Sequence, residues 1–204
     1  MARIRLYDFP LSGNAHKVRN LLALLGVDYE RVPVDLAAGE QRTRAFEDLN
    51  PFRQVPVLVD GATVVRDSSA ILVYLARKFG RGAWLPVDAE GEARVQEWLA
   101  TASTAIADGP ALARLIVLFG AEGDLEAARE RARTLFDRLE GHLAGRVWLA
   151  AEHPTIADVA CYSYVALAPD GGVPLEAWPR VRSWLERLEK LPGFEPAPLR
   201  PEAA

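Results

Sequence analysis

The feature of this 204-residue sequence that most restricts its fold is a change of hydrophobic pattern near residue 80. Before that point, alternating runs typical of strands are mixed with helical spacing, whereas after it the pattern is helical almost throughout. The segment GRGAWLPVD, rich in Gly and Pro, lies between the two parts and is typical of a linker. We therefore predict an α/β domain over residues 1–80, a linker over 81–87 and an all-helical domain over 88–204.

The first part predicts the element order β-α-β-α-β-β-α. Alternation around Ile4 and Leu6 indicates a first strand, and apolar residues at i, i+3, i+4 and i+7 from Val18 indicate the helix that follows. Two β-rich runs flank Asp60-Gly61, which is a strong hairpin signal. A right-handed crossover makes the first two strands parallel and the hairpin adds antiparallel pairing, so we predict a mixed sheet.

The second part predicts a long helical stretch over residues 88–119, followed by further helices. We expect a bend near Gly109-Pro110, because a proline inside a helix removes a hydrogen bond. The segment PTIADVACYSYVALA is apolar around most of its circumference, which indicates a buried helix. The tail EPAPLRPEAA is rich in proline, and we expect it to be partly disordered.

Composition argues against several classes of protein. The net charge is −4 and no basic stripe is present, which argues against a nucleic-acid partner. One cysteine, Cys161, excludes an internal disulfide and a CxxC motif, and three scattered histidines offer no metal site. There is no signal-peptide pattern, and no apolar run approaches the length that spans a bilayer, so we expect a cytoplasmic protein without a membrane partner.

The stretch FPLSGNAHKVRNLLALLG raises the question of what Ser12 does at the start of a helix. The commonest role is a helix cap. A nucleophilic serine needs a base; His16 could lie on the same helix face, but no G-x-S-x-G elbow is present. A third interpretation uses the location, because a helix start attracts anions and a hydroxyl there could donate to a thiolate that a co-substrate brings.

Two other segments combine a structural and a functional interpretation. Val55-Pro56 opens a predicted strand, and a cis bond there would leave the Val55 backbone open to a ligand, although few X–Pro bonds are cis. Asp67 and Ser68 begin another helix. They are expected to cap it, and the same N-terminus could bind a carboxylate.

These segments together resemble the cytosolic glutathione transferases of the bacterial serine type, which includes the theta-, beta- and nu-like classes. The resemblance covers nearly the whole chain. It implies a thioredoxin-like N-terminal domain, an all-α C-terminal domain, a homodimer, a role in detoxification and glutathione as co-substrate, without a metal. The motifs that carry it are PLSGNAHKVRNLLALLG, NPFRQVPVL, VVRDSSAILVYLARKFG, HPTIADVACYSYVALAP and WPRVRSWLERLEKLPGF.

For the sulfur of glutathione, the resemblance implies Ser12 as the hydrogen-bond partner. Asn14 is the next candidate, either alone or together with Ser12. Tyr7 lies one residue away from the position of the tyrosine that some members use, a position held here by Asp8. Because neighbouring residues of a strand point to opposite faces, Ser12 is favoured over Tyr7.

For the rest of glutathione, the resemblance implies that Val55 pairs its backbone with the cysteinyl part, ahead of a cis Pro56. Asp67 and Ser68 would hold the γ-glutamyl end. The candidates for the glycyl carboxylate are Gln54, with Arg53 or Gln41.

The resemblance places the hydrophobic electrophile in a cleft between the domains. Arg114 lies near the predicted pocket residues and could contact a polar substrate, although a solvated arginine is the commoner case. Cys161 is expected to be a packed thiol. Thr155 and Asp158 match a capping box with a role in folding. The predicted pocket residues are Phe9, Leu11, Leu112, Leu115, Ile116 and Phe119.

Three functions follow as expectations. The first is conjugation of the glutathione thiolate to a small hydrophobic electrophile. The second is glutathione-dependent reduction of disulfides or peroxides, in which any mixed disulfide would involve glutathione only. The third is a non-catalytic binding protein, against which the intact QVP and DSS segments argue.

Overall fold

The computed structural model of the protein describes residues 4–197 and has the predicted fold class, a mixed sheet with helices followed by an all-helical part. The sheet is four-stranded in the order β2-β1-β3-β4. β1 pairs with β2 in parallel and with β3 antiparallel, and β3 pairs with β4 antiparallel. The strands are β1 (Ile4–Asp8), β2 (Tyr29–Pro33), β3 (Val57–Asp60) and β4 (Thr63–Arg66).

Helices α1 (Gly13–Leu24) and α3 (Ser68–Phe79) pack against each other on one face of the sheet, and α2 (Arg44–Leu49) lies on the other face. Alternation along β1 buries Ile4 and Leu6 in the large core that α1 and α3 share with the helical part. The parallel connection between β1 and β2 and the hairpin between β3 and β4 are therefore both confirmed.

The helical part packs against α1 and α3 through one central helix, α7. This helix is buried along nearly its whole length, and the predicted capping box is present: Thr155 caps it, and Asp158 accepts a hydrogen bond from the Thr155 amide at 2.9 Å. The helices of this part are α4 (Ala89–Ser103), α5 (Leu112–Phe119), α6 (Leu125–His142), α7 (Ile156–Ala166) and α8 (Pro179–Glu189).

The predicted bend near Gly109-Pro110 is a π-helical turn, Ala107–Ala111, between α4 and α5. The run Ala89–Phe119 that contains it is long and apolar enough to cross a membrane by length and composition alone. The expectation that no apolar run approaches the length of a membrane span is therefore wrong by this criterion. The finding is weak evidence for a membrane, because a core helix of a soluble protein meets the same criterion.

The prediction for the proline-rich tail falls largely outside the described residues, which end at Ala197. The segment before that point is attached to the sheet part. The backbone amide of Glu195 donates to Asn20 Oδ1 at 2.8 Å, and the Glu195 carbonyl lies 3.0 Å from His16 Nε2. The chain therefore returns to α1 after α8.

Candidate active site

A cleft of about 620 Å³ lies between the loop that precedes α1, the loops around residues 36–41 and 53–55, and helix α5. One part of its wall is polar and another is apolar, which suits a ligand with a polar body and a reaction with an apolar partner. The polar residues that line it are Ser12, Asn14, Gln41, Arg53, Gln54 and Arg114. Its apolar residues include Phe9, Leu11, Val55, Leu115 and Phe119.

Ser12 caps α1 from an extended backbone conformation, and its Oγ accepts a hydrogen bond from the Ala15 amide at 3.2 Å. A hydroxyl has two acceptor lone pairs and one proton to donate. Capping therefore uses acceptor capacity only, and the Ser12 proton is available to a group in the cleft. The positive end of the α1 dipole adds to the attraction of an anion at this place.

Tyr7 lies on the other face of the sheet, as its register predicts. Its ring makes an edge contact with Phe46 of α2, with 6.3 Å between the ring centroids, and it does not line the cleft. The next residue, Asp8, is fully buried on the α1 side and forms ion pairs with Arg19 and Arg31. Asp8 thus has a structural role that fixes the end of β1.

Asn14, in the first turn of α1, contacts the start of α3. The Ser68 hydroxyl donates to Asn14 Oδ1 at 3.4 Å, and Asp67 caps α3 by accepting from the Ala70 amide at 3.0 Å. Asp67 has φ 71° and ψ 130°, a conformation that residues other than glycine rarely adopt and that is concentrated at functional sites. Asp67 and Ser68 do not line the cleft itself. They adjoin it, because Ser68 is hydrogen-bonded to Asn14, which does line the cleft.

The loop that precedes β3 brings Arg53, Gln54 and Val55 to the cleft wall. The Val55-Pro56 peptide bond is cis, as the resemblance implied, and Pro56 itself does not line the cleft. Arg53 has φ 55° and forms an ion pair with Glu47. The Asn50 side chain fixes this loop, because its amide donates to the Gln54 carbonyl at 2.7 Å.

Gln41 reaches the cleft from the loop before α2. Its Nε2 donates to the Leu36 carbonyl at 3.4 Å, and its Oε1 is buried without a partner among residues 4–197. The free atom of Gln41 is thus a hydrogen-bond acceptor. It suits an N–H group of a ligand better than a carboxylate.

His16 is not arranged as a base for Ser12. The ring is 1% exposed, its Nδ1 is 2.9 Å from Ser163 Oγ, and its Nε2 faces the Glu195 carbonyl. Burial, with a smaller contribution from Arg19, lowers the pKa of His16 to about 4. Both ring nitrogens are engaged in attaching other elements to α1, which leaves no nitrogen to activate a serine.

The apolar wall contains four of the six predicted pocket residues. Phe9 and Phe119 make an edge contact across the cleft, with centroids 6.3 Å apart, and Leu11 and Leu115 lie beside them. The other two, Leu112 and Ile116, do not line the cleft. They face the loop after α5, where a methyl group at Gly123 would lie 3.1 Å from Ile116 Cδ1 and 3.6 Å from Leu112 Cδ1.

Arg114 corrects the expectation of a solvated arginine, because it is 1% exposed. Its Nε donates to Asp170 Oδ2 at 2.9 Å, and its Nη1 donates to the Leu11 carbonyl at 2.9 Å. Arg114 therefore connects α5 to the residue that precedes Ser12. Its Nη2 is buried and has no partner among the described residues.

Two further residues under the start of α1 were not identified from the sequence, Tyr164 and Lys17. The Tyr164 ring packs directly on Gly13, and burial raises the pKa of its hydroxyl against the opposing effects of Arg114 and the backbone N–H groups of Gly13 and Asn14. Lys17 Nζ lies 5.5 Å from the Tyr164 ring centroid, and burial lowers the pKa of Lys17 to about 8. In the sequence both residues lie within the apolar patterns of predicted helices, and such a pattern does not indicate a functional site.

Cys161 is fully buried in α7, as predicted, and its Sγ lies 3.6 Å from the Trp98 carbonyl. Burial raises the pKa of this thiol well above its usual range. A thiol that is both protonated and inaccessible is not a nucleophile. Within residues 4–197, no cluster of His, Cys, Asp and Glu side chains suited to a metal ion occurs.

Comparison with known proteins gives a consistent result for both parts of the chain. A family profile described as "Glutathione S-transferase, N-terminal domain" matches residues 2–77, and one described as "Glutathione S-transferase, C-terminal domain" matches residues 90–187. Glutathione S-transferase 3 of Zea mays is 34% identical over 96% of this chain and 93% of its own length.

Solved structures are similar over nearly the whole chain. A glutathione S-transferase from Pseudomonas fluorescens superposes with a TM-score of 0.89 at 30% identity, covering 96% of this chain and 98% of that one. A glutathione transferase homologue from Drosophila mojavensis, solved with bound glutathione, has a TM-score of 0.83 at 29% identity, with coverage of 94% and 90%.

Proposed function

Because this chain belongs to the glutathione S-transferase family, we propose that it conjugates the thiolate of glutathione to a small hydrophobic electrophile. The observation that carries this proposal is the position of Ser12 at the start of α1. Its hydroxyl has a proton to donate and lies in a cleft whose opposite wall is apolar. Ser12 would therefore stabilise an anion and would not itself react.

Ser12 would donate to the glutathione sulfur, with Asn14 as the second candidate. A hydrogen bond to the charged form of a group lowers its pKa, and the α1 dipole acts in the same direction. Lys17 adds positive charge beneath this point. More of the thiol is then ionised at neutral pH, and the thiolate is the nucleophile.

The polar wall, together with the adjoining start of α3, suits the rest of the tripeptide. Val55 offers its backbone to the cysteinyl part, and the cis Pro56 follows it. Asp67 supplies a carboxylate for the γ-glutamyl ammonium group, and Ser68 supplies an N–H at the start of α3 for the α-carboxylate. The glycyl carboxylate would be held by Arg53 and Gln54, whereas Gln41 would accept from an amide N–H.

The apolar wall would receive the electrophile. Phe9, Leu11, Leu115 and Phe119 offer aromatic and aliphatic surface without a reactive side chain. Holding an apolar acceptor against this wall places it beside the sulfur, so catalysis combines proximity with a stabilised thiolate. The serine-type assignment and a role in detoxification belong to the same proposal.

A titration of bound glutathione tests the mechanism directly. Thiolate absorbance is followed against pH in complexes of the wild type and of Ser12→Ala. We expect the thiol pKa in the wild-type complex to be lower than in water and to return towards the water value in the variant. A bound thiol that titrates as it does in water would refute the role of Ser12.

Turnover assays separate conjugation from the redox alternative. We expect activity with chlorodinitrobenzene to exceed activity with a small disulfide or a hydroperoxide. Because Cys161 is buried, any thiol chemistry would come from glutathione alone. A dominant disulfide or peroxide activity would support the second function, and a melting temperature unchanged by millimolar glutathione would support a protein that has lost glutathione binding.

The assembly and location of the protein are part of the proposal. We expect a cytoplasmic homodimer in which the sheet part of one chain faces the helices of the other. Phe52, which is 76% exposed, is an apolar side chain that such an interface would cover. Light scattering tests the mass in solution. The division at residues 80 and 88 stays a prediction, and proteolysis between the two family-matched ranges would test it.

A further inference from the structure

Arg114 has more hydrogen-bonding capacity than the protein uses. A guanidinium carries five N–H donors, and the described part of the chain engages two of them, one from Nε and one from Nη1. The Nη2 atom is buried without a partner. Buried donors are nearly always satisfied, so an orphaned one on an arginine that lines a cleft indicates an acceptor that comes from outside the chain.

The surroundings of Arg114 restrict what that acceptor is. Asp170 occupies the Nε edge of the guanidinium, and the Leu11 carbonyl occupies one proton of Nη1. Three N–H groups of Nη1 and Nη2 remain, and a pair of guanidinium N–H groups can bind a carboxylate in a bidentate manner. Arg114 lines the cleft together with Leu115, Phe119 and Tyr164, which belong to the apolar wall and its base.

We propose that Arg114 is a specificity-determining residue that binds a carboxylate carried by the electrophile. This inference rests on the proposed function and makes its substrate class narrower: an aromatic or unsaturated acid rather than a neutral hydrophobic compound. The aromatic part would lie against Phe9 and Phe119, whose rings contact each other edge to face at the cleft wall. The acid group would lie at the Arg114 end.

The contact between Arg114 and the Leu11 carbonyl sets how far the acid group of this substrate lies from its reacting end. Leu11 directly precedes Ser12, so a carboxylate on Arg114 is held near the proposed sulfur site without occupying it. In a chlorodinitrobenzoate, the sulfur would bond to the ring carbon that carries chlorine, and chlorine would leave as chloride with the bonding electron pair. The carboxylate takes no part in this step and serves for recognition.

Binding of non-reacting probes tests recognition apart from chemistry. Calorimetry with the S-methylglutathione complex would compare dinitrobenzoate with dinitrobenzamide, which has the same ring and no charge. We expect the wild type to bind the acid about tenfold more tightly, which corresponds to ~1.4 kcal/mol. Equal affinities, or no binding of the acid, would overturn the inference.

The variant of choice is Arg114→Gln combined with Asp170→Asn, because it removes both members of the ion pair and leaves no unpaired carboxylate. We expect it to lose the preference for the acid while its affinity for the amide stays within about twofold. Arg187→Gln is the matched control: Arg187 also has a buried nitrogen without a partner among residues 4–197, but it donates to Val147 away from the cleft. It should keep the preference.

Kinetics distinguish this inference from the proposed function. With chlorodinitrobenzoate and its carboxamide, we expect the double variant to raise KM for the acid about tenfold and to leave the amide and glutathione values nearly unchanged. An equal loss for both acceptors would mean that Arg114 only positions Leu11, and would refute the inference. If the wild type prefers the acid in binding but converts neither acceptor, the proposed function fails and the inference stands.

Discussion

His16 makes the stability of the fold sensitive to acid. Its ring is buried between α1, Ser163 of α7 and the segment that follows α8. The Glu195 carbonyl accepts a hydrogen bond from Nε2–H, so the neutral ring has Nδ1 free to accept from the Ser163 hydroxyl. Protonation of Nδ1 would create a cation in a buried site, where the loss of hydration and the charge of Arg19 disfavour it.

The magnitude follows from the shift of the His16 pKa from 6.5 to about 4. At 1.36 kcal/mol per pKa unit, the neutral ring contributes roughly 3 kcal/mol to the free energy of unfolding. The folded pKa is depressed, so this contribution is fully present above pH 6.5 and is lost as the pH falls to about 4. Between pH 7.5 and 5 the loss amounts to about 2 kcal/mol.

Urea unfolding at pH 7.5, 6, 5 and 4.5, followed by tryptophan fluorescence, would measure this loss in the wild type and in His16→Gln. Carboxylates also titrate in this range, but they do so in both proteins. We therefore expect the stability difference between the two to shrink by about 2 kcal/mol from pH 7.5 to 5. His153→Gln, at an exposed position, should follow the wild type. A difference independent of pH would refute the reasoning.

Three further predictions concern the site and its support. Ser12→Ala should lower kcat/KM for conjugation by about 10- to 100-fold, the value of one charge-assisted hydrogen bond, whereas Ser12→Thr should retain most of the activity; steady-state assays measure both. Gly13→Ala should destabilise the fold by about 1–3 kcal/mol in urea unfolding, because the added methyl would lie 2.7 Å from the Tyr164 ring. Asp158→Ala should cost about 3 kcal/mol or more, since four donors, including the Trp184 indole at 3.0 Å, lose their acceptor; a midpoint equal to that of Ser12→Ala would contradict this.

Much of the fold could be predicted because local rules decide it. The hairpin depends on Gly61, whose φ of 61° suits a tight turn between β3 and β4, and the parallel pair depends on the handedness of the crossover. The start of α7 is specified within four residues by Thr155 and Asp158. In each case the residues that determine the structure are close together in the sequence.

The apolar wall could be predicted only in part, since α5 is apolar around most of its circumference. A helix of this kind does not indicate by its pattern which side meets a neighbour. The pattern favoured a face that includes Leu112 and Ile116. In the structure Leu112 and Ile116 pack against the loop at Gly123. The residues of α5 that line the cleft are Leu115, Phe119 and Arg114.

The burial of Arg114 could not be predicted from the sequence, because its partners are distant along the chain. Asp170 is 56 positions away and Leu11 is 103 positions away, so no spacing rule relates them. An arginine in a helix is usually solvated, so a solvated side chain is the ordinary expectation for a single arginine. Only the packing of the helical part against the loop before α1 makes burial of a guanidinium possible there.

Ser12 shows why a structural and a chemical role need not exclude each other. From the sequence, a cap, a nucleophile and a donor to an anion are three alternatives for one hydroxyl. The cap uses a lone pair of Oγ, with the Ala15 amide as donor at 3.2 Å, and the proposed sulfur contact uses the proton. Capping even supports the second role, because it fixes the oxygen at the positive end of α1 and limits the directions in which the proton can point. A nucleophilic serine would instead need a base to accept that proton, and His16 is engaged elsewhere.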